Sequence, residues 1–362
     1  MSLENRARLE GRQGLLAQAL EEWLFILVTW FVLAFAASVP LVFLLVYGFA
    51  LAILAGRFHA LGVILHDGIH SFEISRRRSG WLALLAGYPI TTTPEAMRFH
   101  HLRHHRHFGT ANDPYLKSGS KWIAWGVTSL KGCSLVLAWS IRPFVGLAVL
   151  ALRGLGANEA AEAGLRVYGR GFLQAKELDP STRQELETCL KAEKGQALFF
   201  VTVSALSIWQ SAWMFAAYWL PLWFAGFINV WRVYLEHDHE FRRMGALGHD
   251  EAGESGDTRR QVWRSTESVA LYRIVRPLRW ILAPRNIGYH QAHHLSPTTR
   301  LQDLPRLHQR FADDFEIASD SRFPVKSGVV HDAILSVPVL EDTQRAPSEG
   351  TRRDPADHTL VP

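Results

Sequence analysis

Three short histidine clusters hold the residues best suited to chemistry in this chain. They read His66-Asp67-Gly68-Ile69-His70, His100-His101-Leu102-Arg103-His104-His105 and His290-Gln291-Ala292-His293-His294. Histidine is the commonest metal ligand. Residues three or four apart share one side of a helix. His66 and His70 therefore fall on one stripe, His101, His104 and His105 on a second, and His290, His293 and His294 on a third. Eight imidazoles over-coordinate a single ion, so two metal ions are implied. Imidazole suits iron, zinc and copper alike, so the ligand type does not choose the metal. A pair of irons held this way could reduce O2 and attack an unactivated C–H bond.

Other residues qualify this picture. His237, in Leu235-Glu236-His237-Asp238-His239, closes an apolar run and is a candidate ninth ligand; a solvated interfacial histidine is the alternative. His100 and His101 compete for one role, and the matching spacing in the third cluster favours His101. His107 reads as a supporting or solvated residue. His59 lies seven residues before His66, about 10 Å deeper by helix rise, and reads as a lining or packing residue. His249, His308, His331 and His358 have no comparable setting. Ligating histidines usually give their second nitrogen to a carboxylate or carbonyl. Asp67, Glu236, Asp238, Asp113 and Asn286 are the candidates, Asp67 and Asn286 the favoured ones; each could equally be a helix cap or surface charge.

Long apolar runs must position these clusters. No charge occurs from Trp23 to Gly56, and Ala197–Leu235 contains Arg232 alone. A membrane span needs about 20 apolar residues, so each run fits a pair of spans. Pro40 and Pro221 mark candidate hairpin turns. Expected spans are 23–38, 40–57, 197–216 and 218–236. The outer turns are uncharged, whereas Arg6, Arg8, Arg12, Arg76, Arg77, Arg78, Arg242 and Arg243 flank the other ends. By the positive-inside rule those ends are cytoplasmic. A secretory signal is disfavoured because the first run is too long and lacks a clean cleavage site. A buried soluble helix pair is disfavoured by the length of the uncharged stretches.

The net charge of +5 reads as a basic membrane rim. No basic-aromatic stripe supports nucleic acid binding. Cys133 and Cys189 have no paired spacing, which leaves disulfide, zinc-ribbon and iron–sulfur readings without ligands.

Residues 1–22 form a polar N-terminal arm on the cytoplasmic side, 23–310 a catalytic membrane domain, and 311–362 a polar, partly disordered tail. Residues 81–90 are apolar but too short to cross, 121–155 and 268–283 suit interfacial helices, and 157–196 are polar. With two hairpins and no crossing at 81–90, all three clusters share one side of the membrane.

The set resembles the membrane fatty acid desaturases, the histidine-box diiron enzymes, over roughly residues 40–310. The resemblance rests on His66-Asp67-Gly68-Ile69-His70, on His101-Leu102-Arg103-His104-His105-Arg106-His107, and on Asn286-Ile287-Gly288-Tyr289-His290-Gln291-Ala292-His293-His294-Leu295-Ser296-Pro297, with Leu304-Pro305-Arg306-Leu307-His308 after it. It implies four spans, a cytoplasmic cap, two non-haem iron ions and an O2-dependent reaction on a lipid chain. His66, His70, His101, His104, His105, His290, His293 and His294 would be the box ligands, and His237 the additional one. The polar insert at 157–196 departs from the pattern, being longer than expected.

The expected fold is therefore all-α: an integral membrane protein with four transmembrane helices in two hairpins and a cytoplasmic helical cap holding a diiron site. The expected activity is desaturation of a fatty acyl chain. The alternatives are a lipid hydroxylase or carotenoid ketolase of the same family and, from another class, a histidine-rich membrane metal-binding or transport protein. No cytochrome or ferredoxin segment is visible, so a separate electron donor of ferredoxin or cytochrome b5 type is expected.

Overall fold

In a computed structural model the described residues are 3–70, 80–108, 113–114, 140–170, 178–237, 262–263 and 265–320. Two compact units divide the chain, 1–312 and 313–362, and the functional residues lie in the first. Among the described residues every regular element is helical.

Three helices are long and apolar enough to cross a membrane: Gly14–Ala36, Pro40–His70 and Ser211–Glu236. The first belongs to a longer helix, Leu3–Ala36. It turns at Ser38 and reverses into Pro40–His70, with Pro40 at the first helical position, where its missing N–H costs nothing. Outward faces carry Phe31, Phe35, Leu44 and Phe49, all strongly exposed. A water-soluble fold would not leave such a continuous apolar face bare; a lipid environment accommodates it. Inward, Ile26, Leu33, Leu54, Phe58, Leu61, Ile64 and Leu65 form a core with Tyr218, Leu222 and Ala225. Tyr47 donates to the carbonyl of Ala216 at 3.0 Å, and Trp30 to that of Ala217 at 2.8 Å.

The second apolar run differs from expectation. Its helix break falls at Gln210 (φ −125°, ψ 52°), not beside Pro221. Pro221 instead sits in the first turn of Leu220–Glu236, just after a wide π turn at Phe215–Trp219. The first turn tolerates a residue without an N–H, and the π turn absorbs the local misfit. The preceding helix, Pro180–Trp209, begins in the polar insert and runs unbroken into the apolar run. Only 197–209 of it is apolar, and it is not among the three candidate spans.

The residues around 157–196 pack as helices, Asn158–Arg170 and the first half of Pro180–Trp209. They bury Leu165, Tyr168, Leu186, Cys189 and Leu190 against Phe99 and Ala96. The insert thus braces the helix of the second histidine cluster. Residues 80–90 form a short apolar helix, as the lack of spanning length implied. The 268–283 stretch gives a turn at Val269–Leu271 and a helix at Val275–Leu282. Arg76–Arg78, Arg242, Arg243 and the greater part of 121–155 and of the tail lie outside the described residues.

Candidate metal centre

Each histidine is delivered by a helix end. His66 and His70 occupy the last turn of Pro40–His70. His237 follows the last turn of Leu220–Glu236, a helix packed against the first. These two apolar helices therefore present their histidines side by side.

His101, His104 and His105 project from Pro94–Arg106. Thr93 caps that helix, its hydroxyl accepting from the Ala96 N–H at 3.1 Å. Thr91 takes a left-handed turn (φ 65°) just before it. Arg103, on the opposite face, donates to Thr182 Oγ1 at 2.7 Å and Glu185 Oε2 at 2.9 Å. Clamped from behind, the helix holds its histidine face inward.

The third cluster lies on the short helix His290–Leu295. Its approach is fixed by a left-handed pair, Arg285 (φ 52°) and Asn286 (φ 65°). A Cβ at Gly288 would lie 2.8 Å from Ala283 Cβ and 3.0 Å from the Ala270 nitrogen, so only glycine fits. The Gln291 side chain donates to the Trp263 carbonyl at 2.9 Å.

Nine imidazoles converge. His66, His70, His101 and His293 form one group, and His104, His237 and His294 another; within each, the nearest ring nitrogens lie within 4.8 Å of one another. His105 adjoins the first group, its Nε2 2.8 Å from His101 Nε2 and 3.1 Å from His293 Nε2. His290 adjoins the second, its Nε2 3.0 Å from His237 Nε2 and 2.9 Å from His294 Nε2. Further contacts join His66 to His101 at 2.8 Å and His104 to His294 at 3.3 Å, again through Nε2.

These contacts fit metal ions better than hydrogen bonds. In the row His66–His101–His105–His293, three Nε2···Nε2 contacts follow one another. Each Nε2 carries either one proton or a lone pair, so four rings cannot satisfy all three. The row His104–His294–His290–His237 has the same conflict. Cations between the rings remove it, because every Nε2 then offers a lone pair. The spacings also agree: a metal–nitrogen bond of about 2.0–2.1 Å gives ligand–ligand edges of roughly 2.9 Å in an octahedron and 3.4 Å in a tetrahedron. Each group could hold a metal ion.

One second nitrogen, that of His104, is hydrogen-bonded to a carboxylate, and that of His290 has one nearby without a hydrogen bond. His104 Nδ1 lies 2.8 Å from Asp113 Oδ1, and His290 Nδ1 lies 3.5 Å from Glu236 Oε2. Accepting an Nδ1–H turns the Nε2 lone pair toward the centre. Glu236 is itself paired with Arg232, one turn earlier. Asp67 and Asn286, the favoured partners in the sequence, take neither role. Asp67 follows His66 directly, about 100° around the helix, and Asn286 serves the left-handed turn. Asp238 lies outside the described residues. The lone charge in the second apolar run, four residues before Glu236, was the available signal for the Arg232 pair.

Burial is the largest cause pushing His101, His104, His105, His290, His293 and His294 well below the usual histidine value of 6.5, with neighbouring imidazoles adding to it. Burial likewise brings His237 down to about 3. The rings are thus neutral, the form that binds metal.

The remaining histidines stay apart. His101, not His100, faces the centre, and His107 closes its helix through a backbone bond to Arg103. His59 is buried, with Nδ1 3.4 Å from the Ile281 carbonyl. His308 packs on Trp263 and Tyr289. His239, His249, His331 and His358 lie outside the described residues.

Apolar helices of spanning length ending in a buried, metal-ready histidine centre define a class of helical, membrane-compatible proteins. The fatty acid desaturase family model matches residues 41–324, and the chain belongs to that family. No curated protein and no solved structure shows a significant match to it.

Proposed function

We propose that this protein is an O2-dependent, non-haem diiron oxidoreductase that desaturates a long acyl chain. The observation that carries the reading is the convergence of nine imidazoles in two adjoining groups, six of them buried and three half-buried, where four helix ends meet. His66, His70, His101, His105 and His293 would hold one iron; His104, His237, His290 and His294 would hold the other. When bound, a pair of irons supplies the redox chemistry that couples O2 reduction to removal of hydrogen from an unactivated C–H bond.

The chain's own residues set the conditions for that chemistry. Burial favours the unprotonated form of the rings and limits the access of bulk water. Asp113 orients His104 through its Nδ1, and the Glu236 carboxylate lies beside His290. The helix ends place the centre beside the apolar core, where a methylene chain is soluble. In the overall reaction two adjacent methylenes lose two hydrogens. O2, two protons and two electrons from a ferredoxin- or cytochrome b5-type donor complete the conversion to two waters.

Four spans in two hairpins, with the centre on the cytoplasmic side, belong to this proposal. The fourth would be the apolar end of Pro180–Trp209. The basic residues flanking the inner ends support the orientation. The proposed division is an arm at 1–22, a catalytic domain at 23–310 and a tail at 311–362.

The test is expression in a host of defined lipid composition, followed by mass analysis of the lipids. A loss of two hydrogens, abolished by His104→Ala and His293→Ala, supports the desaturase. A gain of oxygen assigns hydroxylation or ketolation instead. Activity surviving both substitutions removes the site, and metal transport without turnover removes the enzyme.

A further inference from the structure

Beside the membrane-spanning core, Val275–Leu282 presents a face that the metal centre does not use. Arg273, Arg276 and Arg279 recur every third residue there and are exposed, and none forms an ion pair among the described residues. Between them, Ile274 is 67% exposed and Leu278 46%. The opposite side of the segment is anchored. Val275 and Ala283 are buried, and a Cβ on Gly56 would stand 2.9 Å from Ile281 Cα. Arg57 lies over the Trp280 ring, 3.5 Å from its centroid, and pairs with Glu22 at 2.7 Å.

That anchor fixes the depth. Gly56 comes sixteen residues after Pro40, or about 24 Å of helix rise, against a hydrocarbon core of about 30 Å. The segment therefore sits where acyl chains give way to headgroups. At that level aliphatic side chains enter the acyl boundary while guanidinium groups reach phosphates. A water-facing docking site for an acidic protein would use the same arginines but would not need two large, exposed apolar side chains interleaved with them.

We propose that the face formed by Arg273, Ile274, Arg276, Leu278 and Arg279 binds the anionic phospholipid headgroups of the surrounding leaflet. The full chain is equilibrated in micelles doped with equal phosphatidylglycerol and phosphatidylcholine, and the lipids that remain bound after purification are measured by mass analysis. With roughly a fivefold preference per surface arginine, wild type retains phosphatidylglycerol at least tenfold over phosphatidylcholine. The variant R273Q/R276Q/R279Q loses most of that preference, and R273K/R276K/R279K keeps it. Equal preference in wild type and the glutamine variant overturns the proposal. So does unchanged lipid preference when the glutamine variant loses affinity for an acidic ferredoxin in phosphatidylcholine alone. Iron content is measured on the same samples: its absence from wild type counts against the metal reading and leaves the lipid ratio to decide this one.

Discussion

The Nδ1 of His104 lies 2.8 Å from Oδ1 of Asp113, and both side chains are fully enclosed. This pair links a residue of the second histidine cluster to a carboxylate nine positions later. The carboxylate thereby fixes which nitrogen of His104 faces the centre. Asp113→Asn preserves the shape but weakens the acceptor and permits the wrong tautomer. Removal of such a partner typically lowers metal affinity about 10–100-fold. Iron retention against a graded chelator is the measurement, and unchanged retention would show that Asp113 does not position the ligand.

The Arg232–Glu236 pair supports a second prediction. Both side chains are almost fully buried, and Glu236 also faces His290. Removing one member of a buried pair leaves an uncompensated charge and costs about 3–5 kcal/mol. Arg232→Met should therefore lower unfolding stability by that order. The double variant R232M/E236Q should be less damaging than the sum of the singles, because no charge is stranded. Its iron retention should still fall, since His290 loses its carboxylate. Additive stability losses in the double-mutant cycle would show that the two residues act independently.

Much of this centre was legible in the sequence because helical spacing is a local property. His66 with His70 and His290 with His293 and His294 are set by turns of three and four residues, and no tertiary knowledge is needed to see them. His237 was readable from its place at the end of an apolar run. Choosing Asp113 over Asp67 was not readable, since spacing along the chain does not show which carboxylate meets His104 in space. The break at Gln210 was hidden for a related reason: proline is a strong local signal, yet a π turn made Pro221 compatible with a continuing helix. The insert at 157–196 looked merely polar, because Arg103 meets Thr182 and Glu185 across some eighty residues of sequence.

Glycine positions separate packing from chemistry. At Gly288 a Cβ would press on Ala283 and on the Ala270 backbone, whereas at Gly48 it would meet nothing within 4 Å. Gly288→Ala should displace the approach to His290–Leu295, cost about 1–3 kcal/mol by overpacking, and reduce bound iron. Gly48→Ala should leave iron content unchanged and stabilise the helix slightly, since alanine is the better helix former. Paired measurement of iron content and unfolding temperature checks both. Normal iron content in the Gly288 variant would mean that the third cluster tolerates a shifted approach.

Acidification should act through the neutral rings, and its sign follows from proton counting. Unfolded histidines titrate near 6.5, whereas His101, His104, His105, His290, His293 and His294 stay neutral well below that value and His237 down to about 3. Below about pH 6.5 the unfolded chain therefore binds more protons than the folded one, so folding weakens as pH falls. The loss continues until the pH passes through the depressed folded values. Metal-free protein should have a lower unfolding temperature at pH 5.5 than at pH 7.5. Iron-loaded protein should also release its metal over this range, because protons compete for the same lone pairs. A thermal series in detergent, with iron measured at each pH, tests both parts. His101→Ala should reduce the pH dependence by the share of one depressed ring, and replacing His308, whose value burial also lowers, should remove a separate share. An unfolding temperature that rises on acidification would show that the buried rings are already protonated near neutrality, and neutral-imidazole coordination of two irons would then be untenable.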